Sequence, residues 1–245
     1  MRGALPVARR VLLGVLGDRP TLALVVAMPY LLFFLFGQVL DAVPPGRFDA
    51  GFVRPVLVAV FQFILTYLLA GVGFLRERQR GTLERVLTTR ASRSGLVAGY
   101  FLGFGAMALV QSAMMLVAGI LFLDLHFPHG MAPFFGLELL GALSALGLGI
   151  LISVLARTEL QIMQSVAVVL APQIILGGVF VPVARLPAWM AAIARVLPIK
   201  YLLDGMSYLI LGQGTLGDLW TAVAVLAGYT VLVGVAAALA LRAGR

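Results

Sequence analysis

Apolar positions along the chain gather into long blocks, and polar positions are pushed into the short stretches between them. Six blocks are long enough to cross a bilayer, whose hydrocarbon core of about 30 Å needs about 20 residues of helix. The first is Thr21–Leu40, held between Arg19 and Asp41, and the second is Pro55–Leu75, held between Arg54 and Arg76. The third lies within Ser94–Leu123, and the fourth is Ala132–Ala156, interrupted only by Glu138. The fifth is Leu160–Val181 and the sixth Leu219–Leu241. None shows the two-residue alternation of a barrel strand, and backbone groups in lipid must be satisfied internally, so the pattern predicts six transmembrane helices. Residues 1–20 predict a basic, partly apolar helix lying on the cytoplasmic surface, ahead of one membrane domain over 21–245.

Two stretches have a different rhythm. In Arg76–Arg93, Gly81 breaks the helix, Thr82 can cap a new one, and Glu84 suits the positive end of its dipole. Leu83, Val86 and Leu87 then form a small apolar ridge among arginines. Such a helix either docks into a groove on a soluble partner or rests on anionic headgroups. In Arg185–Gly205, apolar residues recur at helical spacing from Leu186 to Leu197, with Pro187 in the first turn. Pro198 ends that helix and Ile199–Leu211 forms another, predicting a re-entrant pair of short helices dipping into the outer leaflet. Trp189, Tyr201 and Tyr208 favour the membrane interface, and Gly177, Gly178 and Pro182 loosen the chain just before.

Composition agrees with lipid as the main solvent. Of the residues 62% are hydrophobic and only 11% charged, against about a quarter charged in soluble domains. The formal charge of +8 comes from eighteen basic residues, and their placement beside spans argues for membrane orientation rather than nucleic acid. With six spans, thirteen basic residues share one side and five the other, so both termini are expected in the cytoplasm. Val11–Gly17 is short, has no cleavage pattern after it and precedes Asp18 and Arg19, so no secretory signal is expected there. Cysteine is absent, which excludes disulfides and thiolate chemistry.

Little in the chain carries chemistry. A phosphate-binding loop needs a lysine after a glycine, and the sole lysine, Lys200, stands between Ile199 and Tyr201. The chain is therefore expected to be no enzyme. His126 and His129 share one short loop with Pro128 between them, and no metal site is expected. Glu138 is the sole carboxylate well inside a predicted span, near the outer end, where snorkelling to water is cheap. Gln62, Gln111, Gln164 and Gln173 are read as hydrogen-bonding between helices. Gln164, Gln173 and Phe180 are also the candidates for lining a route for an amphipathic substrate. The small-residue ridges Gly95–Gly99–Gly103 and Gly141–Ala145–Gly149 favour close helix contact, within the chain before between subunits. A carrier or channel driven by an ion gradient is one reading of such a chain, and Glu138 is the one group it has to work with.

The run RERQRGTLERVLTTRASRSGLVAG resembles the pattern E-x-x-x-G-T-L-E-x-L found after the second span in permeases of type-2 ATP-binding-cassette exporters. The later run GGVFVPVARLPAWMAAIARVLPIKYLLDGMSYLI resembles that family's G-x-F-x-P-x-x-x-L-P-x-W and P-x-x-Y-x-x-D segment. Together they bracket the third to fifth spans, and the likeness is greatest to short permeases of the daunorubicin-resistance type. Arg90-Ala91 departs from the family, which often has proline after the threonine pair. The resemblance implies a membrane subunit that exports a drug, lipid or glycan-type substrate. ATP and Mg would be bound by a separate ATPase subunit, and a second permease chain would complete the dimer. It further implies that Glu77–Leu87 is the coupling helix touching the ATPase. Glu77, Gly81, Thr82, Leu83 and Glu84 match by motif position, and Arg78, Val86 and Leu87 complete the docking set.

Overall fold

The computed structural model describes residues 4–42, 50–80 and 93–243, and among these all regular secondary structure is helical. Six helices have the length and composition to cross a membrane, in the order the apolar blocks predict. A short helix α1 (Ala4–Gly17) precedes the first long one, α2 (Arg19–Ala42), with only Asp18 between them. Then come α3 (Ala50–Gln79), α4 (Arg93–Leu123) and α5 (Met131–Leu155). The fifth crossing is composite: α6 (Glu159–Ser165), a wide π turn over Val166–Leu170, and α7 (Ala171–Leu176). After a 3-10 turn at Val183–Arg185 follow α8 (Ala188–Ala194), α9 (Pro198–Leu211) and the last long helix, α10 (Leu216–Ala243).

Helix α5 is the axle, and it is the most buried of the six. Its closest partner is α3, with α10 on another side. Glycine makes the α3–α5 approach possible. A Cβ on Gly149 would meet the carbonyl oxygen of Tyr67 and lie 3.2 Å from the amide nitrogen of Gly71. The two small-residue ridges are thus used inside the chain. Gly99 and Gly103 receive α1, where a Cβ would sit 2.8 Å from the Ala4 oxygen and 3.0 Å from the Ala8 oxygen. Gly141 instead receives Leu202 of α9.

The core has two parts. The larger packs Phe63, Tyr67, Phe134, Leu202 and Met206 between α3, α5 and α9. The smaller packs Val7, Val11, Phe74, Tyr100, Phe104 and Ile150 at the arginine-rich end. Buried polar groups tie neighbours together, as lipid-embedded side chains must. Gln62 donates to Ser112 at 2.7 Å and Thr66 to Gln111 at 3.4 Å, linking α3 to α4. Ser144 reaches Thr230 at 2.8 Å, linking α5 to α10.

Four expectations need correction. The fifth crossing stops at Leu176 rather than Val181, because Gly178 takes a left-handed φ of 103° and turns the chain out of the helix. Pro198 opens the second short helix rather than merely ending the first, since a proline in the first turn forfeits no intrahelical bond. The two short helices also differ in setting. Trp189 and Ile193 of α8 are left exposed, whereas Ile199, Leu202, Leu203, Met206 and Leu209 seat α9 in the core. Finally, Glu138 does not snorkel. It is wholly buried and neither carboxyl oxygen has a hydrogen-bond partner. The reason is the face it occupies: α5 packs against α3, α4, α9 and α10, and Glu138 lies with buried Leu137, Gly141 and Ala142 rather than on the exposed side that Gly136 marks.

A charged junction at the end of helix α3

The last turn of α3 carries four polar residues in succession, Arg76, Glu77, Arg78 and Gln79. Successive side chains on a helix point about 100° apart, so such a run faces several neighbours at once. Each finds a different element. Arg76 grips Glu159 at the start of α6 with two nitrogens, at 2.7 and 3.0 Å, and holds Asp18 at 2.9 Å with a third. Both carboxylates are about one-third exposed, so solvent tempers each pair, but the planar guanidinium serves both at once. Glu77 is more deeply set. It pairs with Arg10 of α1 and accepts a hydrogen bond of 3.4 Å from the hydroxyl of Tyr100 on α4. Arg10 also donates to that hydroxyl at 3.2 Å, which closes a three-membered cluster.

Arg78 solves a different problem. The final carbonyls of a helix have no intrahelical partner and carry the negative end of its dipole. Arg78 donates to the Val154 oxygen at 2.7 Å and also to the Ala156 oxygen, capping α5. Gln79 donates to the Arg157 oxygen at 3.0 Å just beyond. One helical turn therefore fastens α1, α4, α5, α6 and the α1–α2 joint to the end of α3.

Of the residues singled out from the sequence, Glu77 and Arg78 lie in this junction. Gly81, Thr82, Leu83, Glu84, Val86 and Leu87 fall outside the described residues. The three pathway candidates are not brought together. Gln173 is buried and donates to its own helix at Val169, while Gln164 and Phe180 are exposed on the surface. His129 stacks on Tyr208 with ring centroids 4.6 Å apart, while His126 faces the Asp124 carbonyl, so the two do not converge. Sequence reasoning overlooked Arg10, Asp18, Arg76, Tyr100 and Glu159. A signal existed for the acids. The chain has only ten, and Asp18 and Glu159 both stand at the edge of an apolar block.

Six apolar helices, one of them a buried axle for the rest, make this a multi-pass membrane protein. Its polar machinery is concentrated at one end, where the second span leads into the connection to the third. The chain belongs to the ABC-2 type transporter family, whose model matches residues 6–211. It is 28% identical over 186 residues to the probable multidrug ABC transporter permease YbhR of Escherichia coli, covering 76% of this chain and 50% of that one. It is 27% identical over 187 residues to the linearmycin resistance permease protein LnrN of Bacillus subtilis, covering 74% and 47%. A third relative, ABC transporter G family member 20 of Dictyostelium discoideum, is 27% identical over 192 residues, covering 78% and 26%. The chain thus spans about half the length of the bacterial relatives it matches.

Proposed function

We propose that the chain is the membrane-spanning permease subunit of an ATP-binding-cassette exporter. It moves an amphipathic drug, lipid or glycan-type substrate outward, using ATP hydrolysed on a separate subunit. The ATPase docks on residues 81–87, with Mg and nucleotide bound entirely on its side, and two permease chains pair around the route. The arginine-rich end faces the cytoplasm in this reading, because retained basic residues mark that side.

The observation that carries the proposal is the junction at the end of α3. A push on residues 81–87 reaches α3 first. Arg76, Glu77 and Arg78 are then the grips through which it passes to α6, α1 and α5. In this reading those ion pairs are the contacts that a nucleotide-driven two-state element would shift.

The test is reconstitution in lipid nanodiscs with an ATP-binding-cassette ATPase subunit from the same organism. Leu83→Asp with Glu84→Arg is expected to abolish co-purification. Arg76→Ala is expected to leave co-purification intact while removing the permease's effect on ATPase rate. Co-purification that survives the double substitution would defeat the docking assignment, and an unchanged rate in Arg76→Ala would defeat the transmission route.

A second reading, transport driven by an ion gradient, rests on Glu138, a buried carboxyl with no partner. Glu138→Gln separates the two. Loss of substrate movement with intact ATPase coupling favours the gradient, and unaltered movement removes it.

A further inference from the structure

We infer that a crevice beside the junction is a binding site for one anionic membrane lipid, with its headgroup at Arg80 and an acyl chain along α3. The crevice has a volume of about 300 Å³ and lies between α1, α2, α3, α4 and α6. Its lining is zoned. Charged residues of the junction and Arg80 stand at one end, while Leu65, Leu68 and Val72 of α3, Val25 and Met28 of α2, and Met163 of α6 form apolar walls beyond. From Leu65 to Arg80 is fifteen residues, or about 22 Å of helix, against about 15 Å for half of the hydrocarbon core. A whole acyl chain fits that length.

Charge selects the headgroup. The carboxylates at the polar end are already engaged, Asp18 and Glu159 by Arg76, and Glu77 by Arg10. A cationic head would have to break those pairs. Arg80 is exposed and near enough to Glu159 to help hold that carboxylate in its charged form, but among the described residues its guanidinium makes no hydrogen bond or close ion pair. Its donors at the mouth are therefore still open to an anion from outside, while Glu159 already has two hydrogen bonds from Arg76. A small free anion would satisfy Arg80 but leave the apolar walls uncovered, whereas an anionic lipid satisfies both zones. The site requires only that the chain sit in a membrane, and it stands or falls separately from ATPase docking.

Native mass spectrometry of the full chain, released from mild detergent after titration with phosphatidylglycerol or phosphatidylcholine, reads occupancy directly. One phosphatidylglycerol is expected to be retained with about fivefold preference over phosphatidylcholine, the worth of one arginine near a charged surface. Arg80→Ala should erase that preference while leaving thermal stability unchanged. Leu68→Trp, which fills the crevice, should lower retention of both lipids severalfold, and Met28→Trp should do the same from the facing helix. Millimolar inorganic phosphate should not displace the lipid. Equal retention of the two lipids by the unaltered chain would overturn the inference. So would a preference that survives Arg80→Ala, retention unaffected by both tryptophan variants, or displacement by phosphate.

Discussion

The two ends of the bundle satisfy their charges in different ways. At the arginine-rich end, Arg10, Arg76 and Arg78 each reach across to another helix, with partners 67, 83 and 76 positions away. At the opposite end, Lys200 pairs with Asp204 one turn along its own helix, and Asp218 binds Thr215 three residues before it. Arg54 does bridge Asp41 at 3.1 Å and Asp124 at 3.8 Å, yet those carboxylates are 64% and 77% exposed. Long-range, half-buried pairs bind elements to one another. Local or exposed pairs chiefly keep single segments soluble. One end is therefore built as a junction and the other as a surface.

That contrast can be broken most severely at the contact on which the junction is hung. Gly149→Leu forces a side chain into the Tyr67 carbonyl and should destabilise the bundle by about 3 kcal/mol or more. The yield of monodisperse protein and its thermal unfolding check this. Gly136→Leu is the control, because a Cβ there meets nothing within 4 Å, and it should be tolerated. A tolerated Gly149→Leu would mean that α3 and α5 are not held at this distance.

Glu138 gives the next largest effect, with opposite sign. A buried carboxyl without a partner costs about 1 to 3 kcal/mol, so Glu138→Met should raise the unfolding temperature. A fall in that temperature would reveal a partner for the carboxyl and bring the two ends closer in character.

The smallest effect is the sharpest comparison. A double-mutant cycle on Arg76 and Glu159 should return a coupling of about 1 kcal/mol, discounted for partial exposure. The same cycle on Arg54 and Asp41 should return about 0.3 kcal/mol or less. Equal couplings would dissolve the distinction between junction and surface.

Much of the fold is legible without coordinates. Each span was readable because lipid demands an unbroken apolar run, and boundary charges such as Arg54 and Arg76 mark where the run stops. The glycine ridges were readable as contact surfaces, though not for whom. Gly99 and Gly103 wait for α1, while Gly141 and Gly149 serve two different helices. Glu138 was misread because its depth could be counted along the chain but its enclosure could not. Whether a side chain near a helix end meets water depends on which helices flank it.

The candidate site divides in the same way. Glu77 and Arg78 were picked out by the run they belong to, but Arg76 passed as an ordinary boundary arginine. Its importance comes from Asp18 and Glu159, 58 and 83 positions away, and no local pattern announces such partners. The sequence by itself determined that the chain is a six-span helical membrane protein with its cations gathered on one side, since bilayer thickness and the cost of burying charge act on each segment separately. Tertiary structure alone decided which helix is the axle, which charges meet and where an apolar crevice opens. Those outcomes depend on pairwise packing between segments remote in the chain, and pairing is a property that no single segment possesses.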